Sequence, residues 1–168
     1  MRTVGNCVLT YDQLPDHARL WIYAADRELT TEEVAALDKK IAEFASDWTS
    51  HRRDLDAFGG VWARRFLVLG VDEDKAAASG CSIDTRVRTV QKLGKELGVN
   101  FFEREIFFVL DGDDLVAYPK ESFRAAYLRG DIHDDTTVLD PLVQTKAAAI
   151  TGFRKPLSQS WHRRFVEV

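Results

Sequence analysis

The stretch DLDAFGGVWARRFLVLGVD, Asp54 to Asp72, decides the fold. Its two halves, about Leu55–Trp62 and Arg65–Val71, are short runs rich in β-branched and aromatic residues. So little chain separates them that they are expected to pair as an antiparallel hairpin. A hairpin alone fits many folds, so the segments on either side of it set the topology.

On the N-terminal side, RLWIYAAD (Arg19–Asp26) packs Leu20, Trp21, Ile22 and Tyr23 between charges and reads as a buried strand. The next segment offers Thr30 as N-cap with Glu33 three residues on, the reciprocal pair that satisfies two unpaired amides at a helix start. Val34, Leu37, Ile41, Phe44 and Trp48 then recur at steps of three and four, one apolar helix face. On the C-terminal side a second helix is expected over Ser82–Leu97, with Ile83, Val87, Val90, Leu93 and Leu97 as its stripe and Gly98 as its left-handed stop. EIFFVLDGDDLVAYP follows, with Asp111-Gly112 marking a hairpin turn.

In order, Arg19 to Leu110 gives β-α-β-β-α-β, the split pattern that lays two helices on one face of an antiparallel sheet. The expected fold class is therefore α+β: a ferredoxin-like sandwich over residues 19–111, with residues 112–168 as a C-terminal α/β extension packed on it, the whole forming a single domain. Within the extension, ESFRAAYLRG reads as a short helix stopped by Gly130 and DIHDDTTVL as a turn leading into a strand. Asp140-Pro141 suits the N-cap and first position of another short helix.

Composition narrows the function. At 168 residues and 45% apolar content, one good core can be buried. Twenty-seven acidic against 23 basic residues, a net charge of -4, disfavour a protein built for duplex DNA. No apolar run approaches the roughly 20 residues of a membrane span, and the first residues lack the apolar core of a signal peptide, so a cytoplasmic location is expected. Cys7 and Cys81 are far apart, with neither disulfide-framework nor zinc spacing. No metal site and no cofactor is expected.

Several segments together carry a resemblance: the LWIY strand, the Trp48–His51 element WTSH, RFLVLGVDE, the GCSID turn, DTTVLDPLVQTK and the closing SWHRRF. Across about Leu20 to Phe165 the chain resembles a bacterial family of small proteins, typical of Bacteroidetes, whose members are often labelled "ABC transporter ATPase". That label would imply a phosphate-cradling loop, and no GxxxxGK[ST] occurs; GKELG at Gly94–Gly98 lies inside a helical pattern and has no hydroxyl after its lysine. ATP hydrolysis is not expected. Phe107–Leu139 is also similar, in the order of its elements, to bacterial GYF-like modules, which implies protein or peptide binding, although the glycine-tyrosine-phenylalanine signature is missing.

The candidate site is SGCSIDTRVR, Ser79–Arg88. With Ser82 as cap, Gly80, Cys81 and Ser82 would place amides and a hydroxyl at the positive end of a helix, and Arg86 or Arg88 could reach an anion. Asp84 in the same turn opposes that, because it already compensates the helix dipole. Cys81 could instead act as a nucleophile with His51, His133 or His162 as base, or be an inert packing residue. WTSHRR and WHRR set Trp48 and Trp161 beside histidines and arginines that could stack on a nucleobase, or simply complete a core and a solvated surface. Gln144 is a further candidate pocket residue. The expected ligand-binding set is Gly80, Cys81, Ser82, Asp84, Arg86, His51, Gln144, Trp161 and His162. The leading expectation is a non-enzymatic module binding a protein or a small anionic ligand. A cysteine-dependent enzyme is the alternative, nucleic-acid binding a minor one, and an edge strand is open to pairing with a second copy.

Overall fold

The protein was analysed as a computed structural model that describes residues 11–50, 53–54, 56–74 and 80–167. The expected elements follow one another, β1 Arg19–Ala24, α1 Thr31–Asp47, the hairpin β4 Asp56–Trp62 and β5 Phe66–Asp72, and α2 Gly80–Leu97, with an additional two-residue ladder, β2 Thr49–Ser50 with β3 Arg53–Asp54, before the hairpin. After them come β6 Ile106–Asp111, β7 Asp114–Pro119, α3 Lys120–Arg129, β8 Thr137–Leu139, α4 Lys146–Gly152 and β9 Arg154–Pro156, then short 3-10 turns at Leu157–Gln159 and Trp161–Phe165. The class is α+β, with two main antiparallel sheets and four helices among the described residues.

The first sheet has the order β1-β5-β4, with Leu20 opposite Gly70 and Gly60 opposite Val68. The hairpin turn falls at Ala63 and Arg64, both at positive φ (51° and 55°), the twist that a tight antiparallel turn requires. Two guanidinium contacts hold this unfavourable turn in place: Arg64 Nε donates to the Leu29 carbonyl and Arg65 Nε to that of Ala25. On one face of the sheet lie α1 and α2, where Leu37, Ile41, Val90 and Leu93 close over Ala57, Leu67, Leu69 and Val71. The approach of α1 is so close that a Cβ on Gly59 would stand 2.7 Å from the Ile41 carbonyl oxygen. Thr30 and Glu33 form the expected capping box, and Gly98 ends α2 at φ +67°.

The arrangement departs from a ferredoxin-like sheet at the fourth strand. In that pattern β6 would pair along β1, but it is instead central in a second sheet of order β7-β6-β8-β9. The residues of β6 explain this. Phe107 and Val109 are buried on one face and Phe108 on the other, so the strand needs cover on both sides. Phe108 meets Leu20, Phe66, Val68 and Phe153 where the two sheets pack face to face. Phe107 and Val109 meet Phe123 and Ala126 of α3 together with Val166. The layers thus run helices, sheet, sheet, helix and turns.

Two local expectations need correction. Asp140 does not begin a helix: its carboxylate accepts from Leu142 N–H and pairs with Lys155 at 3.2 Å, and α4 starts later, capped by Thr145. Nor is Ser82 the cap of α2, which already begins at Gly80; Ser82 is buried within the first turn, and its carbonyl accepts from Trp48 Nε1.

Candidate functional site

Because β6 is elsewhere, the outer edge of β1 is only partly covered. Gln144 and Thr145 bridge to it at Leu20 and Arg19, and beyond β1 Asp26 is tied to Asn100. Between these ties runs a cleft of about 610 Å³, within the usual range for ligand sites. All five consecutive residues from Leu20 to Ala24 line it. Neighbouring strand residues point to opposite faces, so a space touching every one of them runs along the strand's edge. The facing wall is the segment from Phe101 to Phe108, and the C-terminal turn contributes Trp161, His162 and Arg164.

Arg86 of α2 reaches this cleft, with the whole residue only 9% exposed. Its guanidinium carbon lies 4.3 Å from the centroid of the Trp21 ring and 5.9 Å from that of Tyr23. Arg19, whose charge acts on Arg86, pairs with Glu73 at 3.4 Å, and Glu103, which lines the cleft, accepts from the Glu105 N–H. Four buried side-chain atoms among the described residues have no hydrogen-bond partner: Arg86 Nε, Arg86 Nη1, Tyr23 Oη and Trp161 Nε1. Each of them can donate, and all three residues line the one cleft. Unpaired buried donors are rare in folded proteins, and those found among the described residues all belong to residues lining this one concavity.

The electrostatics agree. Burial pulls the Arg86 pKa below its ordinary value, with the nearby Tyr23 opposing and Arg19 adding to the effect. Burial also raises the Tyr23 phenol, and Arg86 opposes it. The two groups are close enough to feel each other's charge. Around the cleft, Arg86, Arg104, Lys120 and Arg164 stand against Glu103 and Glu105 alone, an excess of positive charge on an acidic protein.

At the other wall His162 is buried under a stacked Trp161, ring centroids 3.8 Å apart, and its Nδ1 lies 2.6 Å from Ser160 Oγ. Burial lowers its pKa to about 4, with Asp140 opposing and Lys155 and Arg164 reinforcing, so the ring is neutral at pH 7. A neutral imidazole adds no charge to the site, only shape and hydrogen-bonding capacity.

Of the sequence candidates, the structure therefore brings together Arg86, Gln144, Trp161 and His162. Gly80 and Asp84 are exposed and do not line the cleft, which separates the helix start from the site and removes the conflict that Asp84 posed. Ser82 is buried but does not line the cleft either. His51, Cys7 and the Cys81 side chain lie outside the described residues. Trp21, Tyr23, Lys120 and the Phe101–Glu105 segment were not anticipated. One signal was available: Arg86 falls three residues after Ile83 and four before Val90, in phase with the buried stripe, where a charge is out of place.

Two other clusters offer less. His17 Nε2 lies 2.9 Å from Asp74 Oδ1 and 3.7 Å from Asp72 Oδ1, three groups that could hold a cation, but His17 and Asp74 are exposed and already joined. A second cavity of about 350 Å³ beside β6 is rimmed by Asp111, Asp131 and Asp135 and suits no anion. No helix among the described residues is long and apolar enough to cross a membrane.

In comparisons with known proteins, no family model, no curated protein and no solved structure matches the chain.

Proposed function

We propose that the protein is a binding module whose cleft along the β1 edge takes a ligand with an anionic head and an apolar body, the anion resting on Arg86. The observation that carries this reading is a buried arginine, two of whose nitrogens are unpaired, in the lining of a 610 Å³ cleft. A carboxylate or phosphate there would accept charge-assisted bonds from the Arg86 guanidinium, and Trp21 below keeps its plane in position. The aromatic lining from Trp21, Tyr23, Phe101, Phe102 and Phe165 suits an apolar body.

Calorimetric titration with N-benzoylglycine and phenyl phosphate, against uncharged benzamide, tests it. Saturable binding of either anion is expected, weaker by at least tenfold in Arg86→Gln, with benzamide silent. If no anion binds, or Arg86→Gln binds equally well, the reading fails.

A further inference from the structure

Building on that reading, we infer that the occupant is a short acidic peptide, which enters as an extended strand beside β1 and sets a carboxylate on Arg86. If anion binding through Arg86 fails, this inference fails with it, but it can also fail alone.

The backbone of β1 supplies the first argument. Leu20 N–H donates outward to the Gln144 carbonyl, and Lys146 N–H donates to the Ala18 carbonyl, an antiparallel bridge centred on Arg19 and Thr145. In an antiparallel strand alternate residues turn N–H and C=O to the same side. Ala18 and Leu20 face outward, so Ile22 and Ala24 do too, whereas Ala25 N–H turns back to the Arg65 carbonyl. The outward groups of Ile22 and Ala24 find no backbone partner among the described residues. They form the part of the edge that borders the cleft. A ladder has been started there by Gln144 and Thr145 and is left open.

The second argument is the distribution of side chains on the two faces of that open slot. On the helix face stand Trp21, Tyr23 and Arg86, and on the other Ile22, Val143 and Phe108 continue the apolar core between the sheets. A strand lying in the slot presents alternate side chains to these two faces. The matching sequence alternates an acidic residue with apolar ones, and the lining favours the same sign of charge: Lys120 is paired with Glu105, and Arg104 and Arg164 outnumber the remaining Glu103.

The third is length. Gln144–Thr145 closes the slot at Leu20 and the Asp26–Asn100 pair closes it at the far end. Between them lie about five residues of strand, roughly 17 Å. That admits a short segment or a chain end and excludes a long strand lying flat. The carboxylate can accordingly be an acidic side chain or the α-carboxylate of a C-terminus, two sources with the same chemistry at Arg86.

The experiment uses the full chain and three labelled peptides: Thr-Val-Glu-Val-Thr amide, its Gln counterpart, and Thr-Val-Thr-Val with a free C-terminus. Binding is read by fluorescence anisotropy, and backbone hydrogen exchange is read by NMR at Ile22 and Ala24. At least one carboxylate-bearing peptide is expected to bind at least tenfold more tightly than the Gln counterpart, and to lose at least tenfold in Arg86→Gln. On binding, the Ile22 amide is expected to slow in exchange by at least tenfold. Which carboxylate peptide binds identifies the source of the anion. If N-benzoylglycine binds through Arg86 but neither carboxylate peptide does, or if one binds with Ile22 exchange unchanged, strand addition is overturned while the anion site stands. If neither the small anions nor the peptides bind, both are overturned.

Discussion

The Arg86 guanidinium lies 4.3 Å from the centre of the Trp21 ring, and two of its nitrogens have no hydrogen-bond partner. A desolvated cation over an indole gains about 2 kcal/mol. Each buried donor left unpaired costs about 1–3 kcal/mol, and more when the group is charged. The ring therefore does not compensate for the burial, and Arg86 is held at a net cost.

It follows that Arg86→Met, which keeps much of the volume and drops the charge, leaves the free protein as stable or more stable by about 1 kcal/mol. Urea denaturation measures this. A loss of more than about 2 kcal/mol would make Arg86 a structural residue, contrary to its role as a ligand anchor.

His162 gives a pH dependence of determinate sign. Folded, its pKa is about 4, against 6.5 when unperturbed. Between those values only the unfolded chain takes up the proton, so stability is full above about pH 6.5 and declines as pH falls toward 4. The ceiling is about 3 kcal/mol. His162→Phe should flatten the curve over that window. Glu33, whose carboxyl Arg27 holds down at about 2, loses its contribution only below pH 4.5, so the two effects separate along the pH axis. An unchanged slope in His162→Phe would contradict the assignment.

Lys146 is buried and donates through Nζ to the Leu14 carbonyl at 2.7 Å and the Asp12 carbonyl at 3.3 Å, 5.0 Å from the centre of the Tyr11 ring. Lys146→Met strips both carbonyls of their donor. A loss of about 1–3 kcal/mol is expected, together with faster amide exchange in residues 14–18. No change in either would mean that the ammonium does not hold this segment.

Gly59 faces the α1 backbone, not a flexible side chain, so the added methyl of Gly59→Ala has nowhere to go. The expected cost is about 1–3 kcal/mol. Gly80→Ala, with open space around it, provides the comparison: thermal melts should show a loss at position 59 well beyond that at 80.

The parts of the fold that sequence made legible were those set by local chemistry. Thr30 with Glu33, the glycine stop at position 98 and the apolar runs either side of Ala63 announce a helix start, a helix end and a hairpin through residues close together in the chain. The partner of β6 was not legible, because pairing depends on contacts between distant segments, and FFVL is as apolar beside β1 as beside β8. The site was hidden for a related reason. In the sequence Arg86 belongs to a helix N-terminus, and only the packing of α2 over β1 sets it against Trp21 and Tyr23. Treating it as one residue of the buried stripe, in place of Val87, would have exposed a charge without an evident partner.

The most direct test of the cleft is the Arg86 Nε–H resonance in ¹⁵N-labelled protein titrated with N-benzoylglycine, phenyl phosphate and the acidic peptide. Trp48 Nε1–H, already bonded to the Ser82 carbonyl at 3.1 Å, serves as an internal reference. The account predicts that Arg86 Nε–H moves downfield and saturates with at least one of these anions while Trp48 Nε1–H stays within a much smaller range. An Arg86 signal that remains unmoved by all three at millimolar concentration would contradict it.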